Sequence, residues 1–426
     1  MTISEMFKDF LSNLQVDNSS TISLRYGEIT SSLNKKFRDT ESKTANTLQV
    51  GSYGRWTGIK GISDLDMLYI MPITKWDDYK NDQSKLLTDT KDAIKTRYPN
   101  TKVKVDRLVV QVTYTNFMVE VQPVFEQDDG SFKYPDTYNG GSWKITKPRE
   151  EINAMKDFVD QKNKNLRRLC KMARAWRNKH GVGMGGLLID TLAHNFLNST
   201  ADYDYKSYTY YDWMCRDFFK YLADEPDKDY YLALGSRQQV KVKEKFQSAA
   251  QDAYELCLDA IKAGEQDSAN KKWKKVFGRN FPAAAHTVQK SKSLSAFKNT
   301  EQFIEDLHPI DIRYSLKIEC EVSQNGFRSN SLTQMLASRI PLLANKRLDF
   351  MVDQINVPGE YIIKWKVLNR GAEAERRDCV RGQIFRDDGF RKRRETTTFK
   401  GEHILECFAI QNGVVVAKDR IDVPIQ

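Results

Sequence analysis

The chain has 426 residues, 40% of them hydrophobic and 11% aromatic, and a formal net charge of +10. This length predicts two or three globular domains. No apolar stretch approaches the ~18 residues of a membrane helix, and the N-terminus lacks the pattern of a signal peptide. The six cysteines stand singly, which argues against a disulfide framework or a zinc knuckle. We therefore expect a cytoplasmic protein without membrane contact, whose positive charge favours anionic partners such as nucleotides or oligonucleotides.

The spacing of apolar residues predicts a succession of elements along the chain. The first are helices over 3–14 and 22–37, followed by strand, turn, strand over 50–72. The remaining elements are a helix over 91–98, antiparallel strands over 102–114 and 117–126, a loop over 129–148, and helices over 165–181, 240–264 and 271–282. Short alternating strands after residue 306, separated by Asn-Gly or Arg-Gly turns, predict a β-rich C-terminal domain.

Asp64 and Asp66 lie one residue apart in the apolar stretch DLDMLYI. On a strand, side chains at i and i+2 share a face, so both carboxylates project together while Leu65 points into the core. Two carboxylates at this distance repel unless a cation lies between them, and their hard oxygens suit Mg²⁺ or Mn²⁺. The alternative for an isolated pair of this kind is a solvated sheet edge.

Glu120, flanked by valines on a later predicted strand, supplies a third acid for a two-metal site. Two metals held by three acids can activate a hydroxyl nucleophile and neutralise a leaving pyrophosphate. Gly51 and Ser52 precede the acids, and Arg55 and Lys60 lie nearby in the sequence. A glycine lets the backbone approach a phosphate, and a serine hydroxyl can bond its oxygens. The sequence thus predicts a triphosphate clamp followed by a metal site.

With Gly51, Ser52, Asp64, Asp66 and Glu120 at these spacings, the chain resembles the polymerase-β-like nucleotidyltransferases. Among them it is most similar to the SMODS and cyclic GMP-AMP synthase-like (CD-NTase) group. The resemblance extends over roughly residues 1–285. It implies an α+β fold with a polymerase-β-like core and a helical lobe. It also assigns the acids to catalysis and metal binding, and the Gly-Ser pair to nucleotide binding.

Some positions depart from the pattern of that family. The third acid is commonly aspartate where this chain has Glu120. A lysine that touches the triphosphate is replaced by Arg174, which keeps the charge and alters the geometry. A serine that helps to hold the phosphates is replaced by Gly186. The resemblance therefore makes Arg174 a nucleotide-binding residue.

The C-terminal part resembles the adenylyl/guanylyl cyclase and SMODS-associated C-terminal sensor (AGS-C) domain, which implies a nucleotide sensor. The recurrent positions of that domain fall on Trp365, Asn369, Gly371, Arg381, Gly382, Gly401, His403 and Glu406. Alternatively, the tryptophan and the glycines only build strands and turns. We interpret the basic run 391–394 as a solvated loop. The predicted organisation is a nucleotidyltransferase core over 1–160, a helical lobe over 161–285, a linker over 286–305 and the β-rich domain over 306–426.

The resemblance implies an enzyme that joins nucleoside triphosphates without a template, using Mg²⁺ or Mn²⁺. The product would be a cyclic or short linear oligonucleotide that an effector protein receives in anti-phage defence. One alternative is a linear polymerase primed by a tyrosine of its own C-terminal domain, where Tyr314 and Tyr361 are available. A linear product would lie on the basic surface. Further alternatives are transfer of one nucleotide onto RNA or protein, and a catalytically inactive sensor that binds a nucleotide or nucleic acid and contacts a partner protein.

Overall fold

The computed structural model describes residues 1–284, 302–323, 329–369, 372–376, 381–387, 389–397 and 400–426. The helices of the first range are α1 (Ile3–Asn13), α2 (Ser19–Arg38), α3 (Gly51–Gly54), α4 (Trp76–Tyr79), α5 (Gln83–Arg97), α6 (Pro148–Gln161), α7 (Asn165–His180), α8 (Gly186–Asn198), α9 (Tyr211–Asp224), α10 (Gln247–Ala263) and α11 (Asp267–Phe277). Its strands are β1 (Thr47–Gln49), β2 (Asp64–Ile70), β3 (Lys102–Asp106), β4 (Val109–Thr113), β5 (Met118–Glu126), β6 (Phe132–Asp136), β7 (Ser142–Thr146), β8 (Tyr230–Leu232) and β9 (Gln239–Lys241).

The later described ranges hold three short helices and the strands β10 to β17. The helices are α12 (Ile304–Leu307), α13 (Leu332–Ala337) and α14 (Ala372–Arg376). The strands are β10 (Leu316–Ser323), β11 (Asn330–Ser331), β12 (Arg347–Ile355), β13 (Ile362–Asn369), β14 (Ile384–Arg386), β15 (Lys392–Thr396), β16 (Gly401–Gln411) and β17 (Val414–Ile425). No helix in the described part of the chain is long and apolar enough to cross a membrane.

The N-terminal sheet has the strand order β1-β2-β5-β4-β3, and β6 and β7 extend it from β5. Its central pair, β2 and β5, is parallel, whereas β1 and β4 pair antiparallel with these strands. The strands expected to be antiparallel over 102–114 and 117–126 do pair in that way, as β3–β4 and β4–β5. The parallel pair β2–β5 was not expected, because alternation predicts a strand but not the direction of its partner. Ile29 of α2 and Ile94 of α5 are fully buried in the same core as Met67 and Val119, so these helices cover one face of the sheet.

Three local expectations need correction. The segment after Val50 begins with the helical turn α3 rather than a strand, because Gly51 takes a left-handed φ of 64°. The stretch predicted as a loop over 129–148 forms the hairpin β6–β7, since Asn139 and the glycines after it adopt positive φ and turn the chain back. The helix predicted over 240–264 starts at Gln247, and residues before it pair as β8–β9.

The helical lobe, α6 to α11, forms a second core. Its predicted long helix over 165–181 is confirmed as α7, and Gly181 follows it with a φ of 72° in the C-cap position. Helix α1 also belongs to this core, because Phe7 packs edge to face on Trp273 with ring centroids 5.1 Å apart. The first helix of the predicted 1–160 unit thus packs on the lobe rather than on the sheet. The predicted domain boundaries themselves stay predictions.

The C-terminal domain has two antiparallel four-stranded sheets, β11-β10-β12-β15 and β14-β13-β16-β17. Phe350 of the first sheet and Trp365 of the second are both 1% exposed and share one core. The β-rich expectation is confirmed. The basic run 391–394 is not a loop, because Lys392–Thr396 pairs with β12. Most of the predicted linker over 286–305 lies outside the described residues, which resume at 302 shortly before α12.

Candidate active site

Asp64 and Asp66 lie at the start of β2, and Glu120 faces them from β5. Parallel pairing places Glu120 directly beside Asp66 in the register. Leu65, on the opposite face, is 2% exposed and belongs to the core. Each of the three acids offers one carboxylate oxygen, and these oxygens lie within 4.8 Å of one another. The side-chain amide of Gln111 donates a hydrogen bond of 3.1 Å to Glu120 and so orients its carboxylate.

Burial and mutual repulsion disfavour the charges of these acids. Burial raises the pKa of Asp64 to about 7, although the neighbouring Arg313 opposes this shift. Burial, together with the charge of Glu120, raises the pKa of Asp66 to about 6. The pKa of Glu120 is also raised, by burial and then by the charge of Asp64. A divalent cation between the carboxylates would therefore favour their ionised forms, because it compensates the negative charges that otherwise repel one another.

Gly51 lies against Asp66, and only glycine fits there. A Cβ at this position would lie 1.8 Å from Asp66 Oδ2, and the φ of 64° is left-handed. The backbone N–H of Val50 donates to the carbonyl of Asp66 at 3.0 Å, which ties the start of α3 to β2. Ser52 lines the same cleft as the acids, and its carbonyl accepts from the N–H of Thr57 at 2.9 Å. The structure thus brings the Gly-Ser pair beside the acids, and its phosphate-binding role stays a prediction.

Arg174 lines the cleft, but its guanidinium is bonded within the protein. Its Nη1 donates to Asp190 Oδ1 at 2.6 Å and its Nη2 to the carbonyl of Gly186 at 3.0 Å. Arg55 Nε donates to Asp190 Oδ2 at 2.8 Å, and Thr57 Oγ1 donates to the same oxygen at 3.1 Å. Burial disfavours the ionised form of Asp190, but the guanidiniums of Arg174 and Arg55 outweigh this effect and lower the pKa of Asp190 to about 2. This cluster fixes α3 to α7 and α8, while contact of Arg174 with a triphosphate stays a prediction.

The sequence analysis did not identify Asp190, although one feature of the sequence could have indicated that it is paired. An aspartate within the apolar run LLIDTLA is fully buried on a helix only when it is paired. The same acid explains why Arg55, considered earlier only as a charge near the clamp, is 4% exposed.

The C-terminal domain reaches the acids through Arg313. This guanidinium forms an ion pair with Asp64, and its Nε donates to Asp311 Oδ2 at 2.6 Å. Arg177 of α7 donates to the other oxygen of Asp311, also at 2.6 Å. The chain of charges Asp64–Arg313–Asp311–Arg177 therefore joins β2, the segment before β10 and the helical lobe. No local pattern in the sequence points to Asp311 or Arg313, because tertiary packing alone brings them here.

The resulting cleft has a volume of about 390 Å³, with the acids on one side and cationic groups around them. Lys243, Arg177 and Arg313 line it together with the Gly-Ser turn. Hard carboxylate oxygens beside several cations can hold a divalent metal and a polyphosphate at the same time. The arrangement is suited to phosphoryl or nucleotidyl transfer.

Of the residues assigned to the sensor by resemblance, none that the structure describes lines this cleft. Asn369, Arg381 and His403 line a small cavity of about 60 Å³ between the two C-terminal sheets. His403 Nδ1 lies 3.0 Å from Asn369 Oδ1. Trp365 is buried and its Nε1 donates to Asp387 at 2.8 Å. This agrees with the alternative interpretation, in which the tryptophan only helps to build the strands. Gly371 lies outside the described residues.

Comparisons with known proteins give two family matches and a set of structural neighbours. The Second Messenger Oligonucleotide or Dinucleotide Synthetase (SMODS) domain matches residues 1–158, and the Adenylyl/Guanylyl and SMODS C-terminal sensor domain matches residues 298–426. No curated protein matches the chain.

Among solved structures, the CdnC:HORMA-deltaN complex of E. coli MS115-1 is similar with a TM-score of 0.51 and 15% identity, over 66% of this chain and 98% of that chain. The structure of CdnC with ATP from the same organism has a TM-score of 0.49 and 16% identity, and the match covers 66% of this chain and 98% of that chain. Vibrio cholerae DncV, a cyclic AMP-GMP synthase, has a TM-score of 0.45 and 16% identity, and the match covers 55% of this chain and 69% of that chain. The first of these likenesses shows a shared fold. The two family matches place a synthetase domain at one end of the chain and its associated sensor domain at the other, so the chain combines a SMODS nucleotidyltransferase domain with a C-terminal AGS-C sensor domain.

Proposed function

We propose that this nucleotidyltransferase joins nucleoside triphosphates, without a template, into a small oligonucleotide signal. A hydroxyl oxygen attacks the α-phosphorus, a new P–O bond forms, and the bond to pyrophosphate breaks. The observation that carries this proposal is the convergence of Asp64, Asp66 and Glu120 within 4.8 Å of one another. An enzyme that had lost its chemistry would have no need to keep three half-buried acids together, since their mutual repulsion costs stability.

The donor set fits a divalent metal. Asp64, Asp66 and Glu120 would hold Mg²⁺ or Mn²⁺, because all three supply hard oxygen ligands. When bound, the metal would supply charge neutralisation for the phosphates and activation of the hydroxyl. Gly51, which has no side chain, would let a phosphate approach its backbone, and Ser52 would donate its hydroxyl to the triphosphate. Arg174 would assist from the wall of the cleft.

A specific observation favours a second candidate, a linear strand that starts on the protein itself. Tyr314 follows Arg313, and the ammonium of Lys243, which lines the cleft, lies 4.7 Å from the centre of its ring. Burial raises the pKa of Tyr314, and the charge of Glu120 is close enough to add to this shift. Tyr361 instead lies beside Arg391, with 5.3 Å between guanidinium and ring centre. Of the two tyrosines considered, Tyr314 is therefore the acceptor that this candidate would use.

The signal would act through an effector protein in anti-phage defence. CdnC was solved in a complex with HORMA-deltaN, and a protein partner of this kind is in keeping with the present chain. We place the enzyme in the cytoplasm, where nucleoside triphosphates are abundant.

The experiment that tests the proposal is a product analysis. The full-length protein is incubated with all ribo- and deoxyribonucleoside triphosphates plus Mg²⁺, and both the small products and the intact protein are weighed by mass spectrometry. Free cyclic or linear oligonucleotides support the main proposal. Nucleotide mass that remains on denatured protein, and that is lost in Tyr314→Phe but kept in Tyr361→Phe, supports self-priming. Absence of both kinds of product contradicts the proposal.

A further inference from the structure

Trp56 combines a bulky side chain with a backbone conformation that suits glycine. Its φ of 57° is left-handed, which is unfavourable for a large residue. The side chain is nevertheless 50% exposed, so burial in a core does not account for a tryptophan at this position. The residue closely follows the turn of Gly51 and Ser52, and its backbone N–H donates to the carbonyl of Tyr53 at 3.0 Å. A strained residue that packing does not require is a candidate for a functional contact.

A cation without a counter-ion in contact lies over the ring of Trp56. The guanidinium carbon of Arg167, from α7, is 4.4 Å from the ring centre. The side chain of Arg167 makes no ion pair and no hydrogen bond with any residue in the described ranges, and its Nε is buried. The charge of Asp160 acts on it without such a contact. Lys171, one turn further along the same helix, also makes no ion pair within those ranges. Positive charge therefore accumulates beside the exposed ring.

Trp56 also lines a surface groove of about 810 Å³ between α2, β1 and α6. The walls of this groove are apolar at Leu48 and Ile152, and Ser23 and Thr47 bring hydroxyl groups into it. Apolar walls can cover the faces of nucleobases, and hydroxyl groups can bond the polar atoms at their edges. The volume is about twice the 390 Å³ of the catalytic cleft. The groove is therefore large enough for more than one nucleotide.

No acidic residue lines the groove in the part of the chain that the structure describes, and Lys43 is the charged residue of its lining. The ammonium of Lys43 pairs with Glu28 Oε1 at 2.6 Å, and Arg97 pairs with the other oxygen of the same carboxylate. Two cations thus share one acid at this side of the groove. Together with Arg167 beside Trp56, these groups give the groove positive surroundings that complement an anionic chain. This complementarity favours nucleic acid over an apolar peptide as the occupant.

We propose that this groove binds a single-stranded oligonucleotide, with one base stacked on the exposed part of the Trp56 ring and a neighbouring phosphate at Arg167. Aromatic rings beside cations hold single strands in this way, because every base has a face to stack and every phosphate has a charge to pair. A duplex keeps its bases stacked on one another and offers no such face. The site is distinct from the catalytic acids, and it does not depend on which product the enzyme makes.

The test is a binding measurement on the full chain without divalent metal, by fluorescence anisotropy. The probes are a labelled single strand of about 15 nucleotides of mixed sequence and its duplex. Trp56→Ala should weaken single-strand binding by about tenfold or more, and Trp56→Phe, which keeps a ring, by less than about threefold. Trp213→Ala is the matched control, because Trp213 is 43% exposed and its ring centre lies 5.7 Å from the guanidinium of Arg216. This control should change the affinity by less than about threefold.

Each outcome decides the proposal. Circular dichroism establishes that the variants are folded, and Trp56→Gly, whose backbone adopts a left-handed φ without strain, replaces Trp56→Ala where that variant is not. Equal affinities of the Trp56→Ala and Trp213→Ala proteins would overturn the site. Duplex binding as tight as that of the single strand would overturn base stacking. Absence of strand binding would overturn the proposal as well, and a wild-type dimer that Trp56→Ala dissociates would then identify a second copy as the occupant.

Discussion

Asp190 is a fully buried carboxylate behind the wall of the cleft, Asp64 is a half-buried carboxylate that lines it, and the protein treats their charges in opposite ways. Asp190 receives Arg55, Arg174 and a threonine hydroxyl, and its pKa falls to about 2. Asp64 lies close to Asp66 and Glu120 and forms an ion pair with Arg313, and burial raises its pKa to about 7 despite that arginine. The first cluster is neutralised without a ligand, whereas in the second three carboxylates lie together and only Asp64 among them forms an ion pair within the described residues. This difference separates a structural ion cluster from one built to receive a metal.

The largest effect should come from breaking the neutralised cluster. Asp190→Asn leaves Arg174 buried without its counter-ion and Arg55 with only Glu151, at 3.3 Å, and we expect the free energy of unfolding to fall by about 3–5 kcal/mol. Urea denaturation measures it. Asp224→Asn, which breaks an exposed pair with Lys220, is the control and should have little effect. A loss below 1 kcal/mol at Asp190 would show that the cluster does not hold α3 to the lobe.

The cluster of Asp64, Asp66 and Glu120 should respond in the opposite direction. For acids whose folded pKa is raised, the protonated form stabilises the fold, and this contribution is lost as pH rises through the folded pKa. Asp64→Asn with Asp66→Asn should therefore make the metal-free protein more stable than wild type, by on the order of 2 kcal/mol at pH 8 and much less at pH 5. Urea denaturation at both pH values checks this. A variant less stable than wild type at pH 8 would contradict the account.

The turn between the clusters should be intolerant of small changes. Ser52→Ala should lower kcat/KM by about 1–3 kcal/mol in transition-state free energy, the value of a charge-assisted hydrogen bond. Gly51→Ala should cost more, because its Cβ collides with Asp66. Gly130→Ala is the matched control, since Gly130 has a φ of 76° but no atom within 4 Å of an added Cβ. Equal activity of the two glycine variants would show that backbone strain alone, and not the contact with Asp66, matters.

A smaller effect is expected at Arg313, which competes with a metal for Asp64. Arg313→Gln should lower the Mn²⁺ concentration for half-maximal binding about three- to tenfold, roughly 1 kcal/mol, as measured by calorimetry. Arg347→Gln, which removes an exposed guanidinium paired with Asp349, should leave metal binding unchanged. Weaker metal binding in Arg313→Gln would mean that the arginine supports the metal rather than opposes it.

Local pattern predicted much of the site. Alternation along a strand requires Asp64 and Asp66 to share a face, and the valines around Glu120 indicate a neighbouring buried strand, so the meeting of the three acids follows from short segments. Asp311 and Arg313 could not be predicted, because a separate domain must dock before they reach the cleft. Gly51 was interpreted through phosphate access alone. Its close approach to Asp66 depends on a tertiary contact that no spacing reveals.

The central claim is that Asp64, Asp66 and Glu120 hold the metal that drives nucleotide transfer. The most direct measurement is pyrophosphate release from mixed nucleoside triphosphates with Mg²⁺, for wild type and for Asp64→Asn with Asp66→Asn. Asp77→Asn with Asp78→Asn removes the same charge from an exposed helix and is the control. The account predicts release by wild type and control, and a rate at least about 10³-fold lower in the folded acid variant. A rate in that variant within tenfold of wild type would contradict it.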